Sequence, residues 1–343
     1  MKFLDFFAGI GGFRKGMEAA GHECIGFCEF DKWAVASYTS MHLITEEQRQ
    51  YLSTLTLKQR QKEILKDEYR NGEWYANDIR RVYAEDIPKA DCWCFGFPCQ
   101  DISVAGKQAG FQGNRSSLFF RVMYLIGQLK EEDKPTYLFI ENVKNLLSVN
   151  GGWDFARLLI EMEQWGYNAE WQVLNSKDFG VPQNRERCFI IGHLRGRSTS
   201  KIFPLEGTDG ENSVSLKLFG CLNGRNSQRD RVYSDTGLAP TISTKPGGNT
   251  EPKVSILFDT SYIGQDGKAY IYENICPTLT SRGCIAIRKL TPKECFRLQG
   301  WPDDYFEKAQ FVNSDSQLYK QAGNGVTVTV IEAMARKMNV DLN

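Results

Sequence analysis

Short runs of apolar residues alternate with amphipathic segments along the first half of the chain. The runs KFLDFF, ECIGFCEF, DCWCFGF, TYLFIEN and RCFIIGHL are typical of buried strands, and FRKGMEAAG, between the first two, is typical of a helix that ends at Gly21. Alternation of strands with helices indicates a parallel sheet that is covered by helices on both faces. The pattern therefore predicts a doubly wound α/β domain.

Two segments depart from this alternation. Residues 45–76 are polar, and TEEQ and TLKQ within them match the capping box that opens a helix, which predicts two short helices inserted on the rim of the sheet. From about residue 195 the chain is rich in Gly, Ser, Thr, Asn and Arg, and it holds a weak repeat, APTISTKPGG and CPTLTSRGC. We expect a smaller β-rich domain there, followed by a last helix, around VIEAMARKM, that packs back on the first domain.

The composition is that of a globular protein, with 343 residues of which 41% are hydrophobic. Asp5 interrupts the apolar start of the chain, and no window is long and apolar enough to span a bilayer. The ten cysteines include no C-x-x-C pair, which argues against a zinc cluster and predicts free thiols. We therefore expect a cytoplasmic protein with no metal and no membrane partner.

The total charge gives no sign of a nucleic-acid partner, because 42 lysines and arginines balance 42 aspartates and glutamates. Two local stretches are basic. Residues 217–231 carry four basic side chains against one acidic, and residues 281–297 carry five against one. Such stretches are most often solvated surfaces, but two of them in one third of the chain could also form a single basic face.

The turn FAGIGG follows the first strand and opens the first helix, so its backbone can approach a ligand beside the positive end of that helix. Arg14 stands where the dinucleotide fingerprint has its third glycine, which weakens a nicotinamide interpretation. Glu29 ends the second strand, where an acid commonly binds ribose hydroxyls. A cofactor with a ribose but no pyrophosphate fits both features, although a tight structural turn would use the same glycines.

The segment CFGFPCQDIS places Cys99 after a buried strand, where a loop can expose its thiol. A nucleophilic thiol needs an activating group, and none of the three histidines lies in a segment that resembles a catalytic loop. Glu141 and Asn142 close another buried strand, in FIENVKN. Because a buried carboxylate without a partner is costly, its presence there favours a functional role for Glu141.

Six segments, in order, resemble the motifs of the cytosine-C5 DNA methyltransferases of prokaryotic or phage type. DFFAGIGGF is similar to the cofactor motif, GFPCQDIS to the nucleophile motif, ENV to the acid motif and QNRER to the substrate-arginine motif. RKLTPKECFRLQGWPDDY is similar to a late signature and QAGNGV to the C-terminal cofactor motif. The six motifs together run from residue 5 to about residue 330.

The resemblance implies a Rossmann-like, doubly wound methyltransferase domain of residues 1–194 and 320–343, and a smaller, irregular β-rich target-recognition domain of residues 195–319. It implies S-adenosylmethionine as the cofactor and S-adenosylhomocysteine as the product. In the adenine-contact motif this chain has Asn77 where the family more often has glycine. The implied cofactor residues are Phe7, Gly9, Ile10, Gly12, Glu29, Phe30, Asp78, Ile79, Leu118, Asn324 and Val326.

The same resemblance implies the catalytic residues Cys99, Glu141, Arg185 and Arg187. The Cys99 thiolate would add to cytosine C6 and make C5 nucleophilic, while Glu141 would bind the N3 and N4 edge of the base. Arg187 and Arg185 would hold the base, and for Arg185 a phosphate contact is nearly as well supported. Because C6 is stacked inside a duplex, the base must flip out.

The implied substrate is a specific short sequence in double-stranded DNA, and the implied active species is a monomer. A transfer-RNA cytosine-C5 methyltransferase is one alternative, disfavoured because the small domain lacks a Cys-Phe-Thr signature, and a catalytically silent DNA-binding regulator is another, disfavoured by the intact catalytic residues. Arginine can contact either a base edge or a phosphate. The expected DNA contacts are Gln100 and Ser103 beside the flipped base, and Arg225, Arg229, Lys245 and Arg282 in the small domain.

Overall fold

A seven-stranded sheet forms the centre of the molecule. The computed structural model describes residues 1–97, 117–207, 218–221, 231–234, 237–242, 252–258, 271–273 and 284–338. The strands of the large sheet are β1 Lys2–Phe6, β2 Glu23–Cys28, β3 Trp74–Ala76, β4 Cys92–Phe95, β5 Tyr137–Val143, β6 Tyr167–Asn175 and β7 Glu186–Leu194. Their order across the sheet is β3-β2-β1-β4-β5-β7-β6. This arrangement brings the ends of β1, β2, β4 and β5 to one edge.

Helices cover both faces of this sheet, as the doubly wound prediction requires. The described helices are α1 Gly12–Ala19, α2 Lys32–His42, α3 Glu46–Ser53, α4 Leu57–Glu63, α5 Ser117–Gln128, α6 Trp153–Gln164, α7 Pro292–Arg297, α8 Asp303–Gln310, α9 Asp315–Asn324 and α10 Val328–Ala335. Leu138 of β5 packs with α5 and α6, whereas its neighbour Phe139 packs on the opposite face with α1 and α10. Successive residues of a strand therefore contribute their side chains to two separate hydrophobic cores, one on each face of the sheet.

The direction of β7 differs from the parallel pattern expected from the sequence. β1 pairs in parallel with β2 and β4, and β4 pairs in parallel with β5. β7 is antiparallel to both β5 and β6. The segment RCFIIGHL was expected as a further strand of a parallel sheet, and its direction could not be inferred because a strand buried on both faces has the same apolar pattern either way.

A second, five-stranded sheet lies between residues 218 and 289. Its strands are β8 Leu218–Cys221, β9 Arg231–Ser234, β10 Lys253–Phe258, β11 Ile271–Glu273 and β12 Cys284–Lys289. Their order is β11-β12-β10-β9-β8, with β10 antiparallel to β12 and parallel to β9. This mixed sheet of short strands confirms the β-rich character expected of this region.

The two inserted helices occur as the capping boxes predicted. Thr45 caps α3 and Thr56 caps α4, and in each the side chain of the third residue bonds back to the cap. Leu52 and Ile64 pack in a small cluster with Ala36 of α2 and with Val312, which follows α8. The insertion therefore joins α2 to the C-terminal part of the chain.

The C-terminal helices pack on the large sheet and on its glycine turn. Ile331 and Met334 of α10 lie in the core that contains α1, which confirms the expected return of the last helix. Phe296 of α7 shares another cluster with Ile10 and Met41. Leu318 and Ala322 of α9 belong to the same cluster, so the boundary predicted at residue 319 falls within α9 and stays a prediction.

Candidate active site

The glycine turn between β1 and α1 has the backbone conformation that a closely approached ligand requires. Gly9 has a φ of 57° and Gly11 a φ of 84°, both in the left-handed region that favours glycine. A β-carbon added at Gly9 would meet no atom within 4 Å, whereas one added at Gly12 would lie 2.7 Å from Val326 Cγ2. The turn is therefore open above Gly9 and packed against the C-terminal motif at Gly12.

His42 of α2 contacts the backbone of the glycine turn. Its Nε2 lies 3.0 Å from the carbonyl oxygen of Ile10, and burial lowers the pKa of this histidine well below its usual value. A neutral imidazole can donate from Nε2 to that carbonyl. Nothing in the sequence pattern marked His42 as part of this site, because its contact with the turn arises from packing.

The carboxylate of Glu29 closes the opposite side of the turn. Glu29 Oε2 accepts a hydrogen bond of 2.8 Å from the Gly9 amide, and Oε1 accepts one of 2.7 Å from the Asp31 amide. Burial raises the pKa of Glu29, and the two amide bonds oppose that shift. The acid that the sequence predicted for a ribose thus touches the glycine turn directly.

An exposed aromatic ring and a carboxylate lie beside Glu29. Phe30 exposes 71% of its surface, which is unusual for phenylalanine and leaves its ring open to stacking. Asp78 follows β3 and caps a short 3₁₀ turn that begins at Ile79, which is buried. Arg80 pairs with Asp78 at 2.8 Å and lies 5.8 Å from the centre of the Phe30 ring. The two elements that the motif resemblance assigned to adenine are therefore neighbours.

The remaining predicted cofactor residues lie at the ends of three elements. Leu118 is at the start of α5 and packs on the core below the sheet edge. Phe7 leaves β1 with a φ of 54°. Asn324 is the last residue of α9, where it is exposed, and Val326 follows it against the glycine turn.

Glu141 and Arg187 form an ion pair at the same edge of the sheet. Arg187 Nε lies 3.0 Å from Glu141 Oε1, and the two side chains expose only 16% and 12% of their surface. β5 and β7 are antiparallel, with Glu141 opposite Phe189 and Arg187 opposite Val143. The two side chains are therefore diagonal neighbours on one face, which is how residues 46 positions apart meet.

The chain that leads toward Cys99 is anchored next to this pair. A β-carbon added at Gly96 would lie 3.2 Å from Glu141 Oε2, so the backbone passes close to the carboxylate. Asn142 Nδ2 donates a 3.1 Å hydrogen bond to the carbonyl oxygen of Phe97. Asn142 thus holds Phe97, the last described residue before Cys99.

Comparison with known proteins shows to which family the chain belongs. A family model for C-5 cytosine-specific DNA methylases matches residues 1–65 and 48–339 in two overlapping segments. The chain belongs to this family. Type II methyltransferase M.Bsp6I of Bacillus sp. (strain RFL6) is 31% identical over 98% of this chain and 98% of its own length. Type II methyltransferase M.HhaI of Haemophilus parahaemolyticus is 29% identical over 100% and 95%.

Solved structures agree on the fold. A methyltransferase of Entamoeba histolytica, EhMeth, superimposes with a TM-score of 0.63 at 16% identity, covering 97% of this chain and 96% of its own. Dnmt2 methyltransferase of S. pombe gives a TM-score of 0.60 at 16% identity, over 97% and 96%. The family and the fold together identify the protein as a DNA (cytosine-5)-methyltransferase.

Arg185 makes contacts that its motif did not suggest. It exposes only 3% of its surface, and its Nη2 donates to the carbonyl oxygens of Gly323 and Gly325 at 3.1 and 2.9 Å. These bonds join the substrate-arginine segment to the C-terminal cofactor loop. The base or phosphate contact expected for Arg185 stays a prediction, and the described contacts give the side chain a positioning role.

Several predicted residues lie outside the part of the chain that the structure describes. They are Cys99, Gln100, Ser103, Arg225, Arg229, Lys245 and Arg282. Sequence reasoning passed over other residues that the structure brings to the site. Asn142 was noted only as a neighbour of Glu141, and Gly96 and His42 were given no role at all. A glycine two residues before a Pro-Cys pair is the one available signal for the close approach at Gly96.

Within the described residues no group of three or more His, Cys, Asp or Glu side chains is placed to bind a metal ion. Among them, too, no helix has the length and apolar character needed to cross a bilayer.

Proposed function

We propose that this enzyme transfers a methyl group from S-adenosylmethionine to C5 of a flipped-out cytosine through a transient bond between Cys99 and C6. The observation that carries the proposal is the Glu141–Arg187 ion pair, which lies beside Gly96, three residues before Cys99. Addition of a thiolate to a pyrimidine ring needs a nearby acid and a nearby positive charge. Glu141 and Arg187 provide both, close to the chain that leads to Cys99.

The residues at the glycine turn fit S-adenosylmethionine. The open space above Gly9 leaves room for a ligand against the backbone, and the Glu29 carboxylate at its side would accept hydrogen bonds from ribose hydroxyls. The exposed Phe30 ring would stack on adenine, and Asp78 would accept from its exocyclic amine. When bound, the cofactor supplies an electrophilic methyl group.

The residues of the chain supply the other steps. Addition of the Cys99 thiolate forms the bond from sulfur to C6 and makes C5 electron-rich, so that C5 takes the methyl group. Glu141 binds the N3 and N4 edge and donates a proton toward N3, which it recovers at the end of the reaction. Arg187 holds the carboxylate and faces the base. Loss of the C5 proton to water then breaks the bond to sulfur.

We further propose that residues 195–319 recognise a short sequence in double-stranded DNA and that the enzyme acts as a monomer. The five-stranded sheet of short strands provides a framework for loops, and the predicted readers Arg225, Arg229, Lys245 and Arg282 fall between its strands in the sequence. Relatives carry the name type II methyltransferase, and one, of Bacillus phage SPbeta, is an orphan methyltransferase. Methylation of DNA, within a restriction-modification system or outside one, is the role that these names support.

The experiment is transfer of a labelled methyl group from S-adenosylmethionine to a randomised duplex DNA library and, separately, to transfer RNA. We expect labelling of duplex DNA alone, at one short motif that sequencing after bisulfite treatment identifies. Cys99→Ser should abolish transfer, and DNA with 5-fluorocytosine should trap the parent enzyme but not the variant. Trapping that persists in Cys99→Ser would disprove the covalent role, and labelling of transfer RNA alone would disprove the substrate.

The same library tests the DNA-reading residues. Loss of a base contact costs about 1–3 kcal/mol at one position and relaxes specificity there, whereas loss of a phosphate contact weakens binding to all sequences. We expect at least one of Arg225→Ala and Arg229→Ala to change the methylated motif. A uniform loss at every site in both variants would assign base reading to other residues.

A further inference from the structure

Arg80 is an exposed arginine at the edge of the proposed adenine site, and no step of the proposed chemistry uses it. Its Nε lies 2.8 Å from Asp78 Oδ1, its Nη2 lies 2.8 Å from Asp78 Oδ2, and its backbone amide donates to Oδ1 at 3.1 Å. Its guanidinium is also 5.8 Å from the centre of the Phe30 ring. The side chain therefore touches both groups that would face adenine.

We propose that Arg80 is a positioning residue that fixes the Asp78 carboxylate beside Phe30 and thereby selects a purine with an amine at position 6. The proposal rests on the assignment of this site to the adenine of S-adenosylmethionine. It goes further because it gives the selectivity of that site to a residue for which the resemblance implies no role.

The selectivity follows from the hydrogen-bonding capacity of Asp78. A carboxylate has roughly four lone-pair positions on its two oxygens. The three donors of Arg80 occupy most of them, and the fork of Nε and Nη2 fixes the plane of the group. An ionised carboxylate held in this way accepts one further N–H from a 6-amino group. A 6-oxo group offers only an acceptor and meets another acceptor.

The pKa of Asp78 supports this geometry. The hydrogen bond from Arg80 is the largest of the effects that lower the pKa of this carboxyl, ahead of the burial that opposes them. A carboxyl whose pKa is lowered stays ionised and remains an acceptor at neutral pH. Without the Arg80 side chain the carboxylate would lose the two donors that fix its plane and the largest of the effects that lower its pKa.

The turn that carries Arg80 does not depend on its side chain. Arg121 of α5 donates to the carbonyl oxygens of Ile79 and Val82, at 3.3 and 2.6 Å, which holds the turn from the other side. The Arg80 side chain is 59% exposed, and exposed ion pairs contribute little to folding. Arg81 is the matched control, since it is an exposed arginine in the same turn that lowers the pKa of Asp78 through its charge alone and makes no ion pair with a described residue.

The experiment measures binding of S-adenosylhomocysteine and of its 6-oxo analogue, S-inosylhomocysteine, by isothermal titration calorimetry. We expect Arg80→Ala to raise the Kd for S-adenosylhomocysteine about 5- to 20-fold, the loss typical of a weakened charge-assisted hydrogen bond. The Kd for the 6-oxo analogue should change little, so the preference for the amine falls. Arg81→Ala should change neither Kd by more than about twofold. Arg80→Lys keeps the charge without the fork and should restore only part of the preference.

The possible outcomes distinguish a failure of the role proposed for Arg80 from a failure of the proposed function. If the parent enzyme binds S-adenosylhomocysteine and Arg80→Ala binds it as tightly as Arg81→Ala does, the role of Arg80 is disproved. Equal weakening for both ligands would also disprove it, because a general electrostatic effect does not distinguish amine from oxo. Failure of the parent enzyme to bind S-adenosylhomocysteine would instead overturn the proposed function. Thermal unfolding without ligand checks that each variant is folded. If Arg80→Ala is less stable than the parent, the Kd values of Arg80→Lys are compared with those of Arg81→Ala instead.

Discussion

Glu141 combines two demands that usually conflict, since it is a largely buried carboxylate and also a proposed proton donor. The Arg187 guanidinium at 3.0 Å offsets the cost of burying the charge. Removal of either charge alone would leave the other buried without a partner. A test of the acid must therefore keep the shape and an oxygen that faces Arg187.

Glu141→Gln meets that condition. The amide keeps the size of the side chain but cannot supply a proton, so we expect kcat to fall by about 10²-fold or more, as for other losses of general acid catalysis. The Kd for S-adenosylhomocysteine should stay the same, because β4 lies between β5, which carries Glu141, and β1, which leads into the glycine turn. Labelled methyl transfer under saturating cofactor measures kcat, and unchanged turnover would return Glu141 to a structural role.

Residue chemistry explains which parts of the site the sequence predicted. Glu141 stood out because a carboxylate closed an apolar strand, and the structure gives it the partner that burial requires. The bond from Asn142 to Phe97 crosses 45 residues, and that from Arg185 to Gly323 crosses 138. Contacts between residues this far apart in the sequence depend on tertiary packing, so no local sequence pattern predicts them.

At the scale of elements, one arginine links the inserted helix pair to the body of the protein, beside the apolar cluster of Leu52 and Ile64. Arg60 of α4 donates to the carbonyl oxygens of Phe311, Leu52 and Leu55, at 2.5, 2.9 and 3.1 Å. Its guanidinium also lies 3.8 Å from the centre of the Phe311 ring. These contacts join α3, α4 and the end of α8.

Arg60→Ala should therefore destabilise the protein without affecting the chemistry. It leaves three carbonyl oxygens without this donor and removes a cation–π contact, for which we expect a loss of about 2 kcal/mol in the free energy of unfolding. The Kd for S-adenosylhomocysteine and kcat at 25 °C should be unchanged. Lys58→Ala, an exposed position in the same helix, is the control in urea unfolding. Equal stability of the two variants would mean that the insertion is held by its apolar cluster alone.

The helices and strands that were predicted correctly are those marked by a local sequence pattern. The capping boxes at Thr45 and Thr56 fix helix starts through bonds over three residues, and both occur. The antiparallel direction of β7 and the packing of α7 on Ile10 were not predicted. Both depend on which distant segment lies alongside, and the apolar pattern of a buried segment is the same for any neighbour.

At the scale of the whole molecule, the large sheet buries the carboxyl group of Asp5 on β1. Asp5 of β1 is fully buried, its Oδ2 accepts a long hydrogen bond of 3.4 Å from the Arg14 amide, and its Oδ1 has no hydrogen-bond partner. Burial raises the pKa of Asp5 well above its ordinary value, and Arg14 only partly opposes this. A group with a raised pKa in the folded state makes the stability of the entire protein depend on pH.

The sign of that dependence gives the last prediction. Below about pH 4 an aspartate is protonated in both the unfolded and the folded chain, so Asp5 costs nothing there. As the pH rises from about 4 toward the raised folded-state pKa, the unfolded chain ionises first and stability falls. Asp5→Asn is neutral throughout, so its stability relative to the parent should grow across this window, by about 1–3 kcal/mol.

Urea unfolding of both proteins between pH 4 and pH 8 measures this difference. Asp86→Asn, at an exposed position, reports the effect of losing one surface charge and serves as the control. The Asp5→Asn curve should approach the parent curve at the acid end and lie above it at the neutral end. A constant offset between the two curves at every pH would show that Asp5 does not titrate differently in the folded protein, because only a pKa that differs between the two states changes the slope of stability against pH.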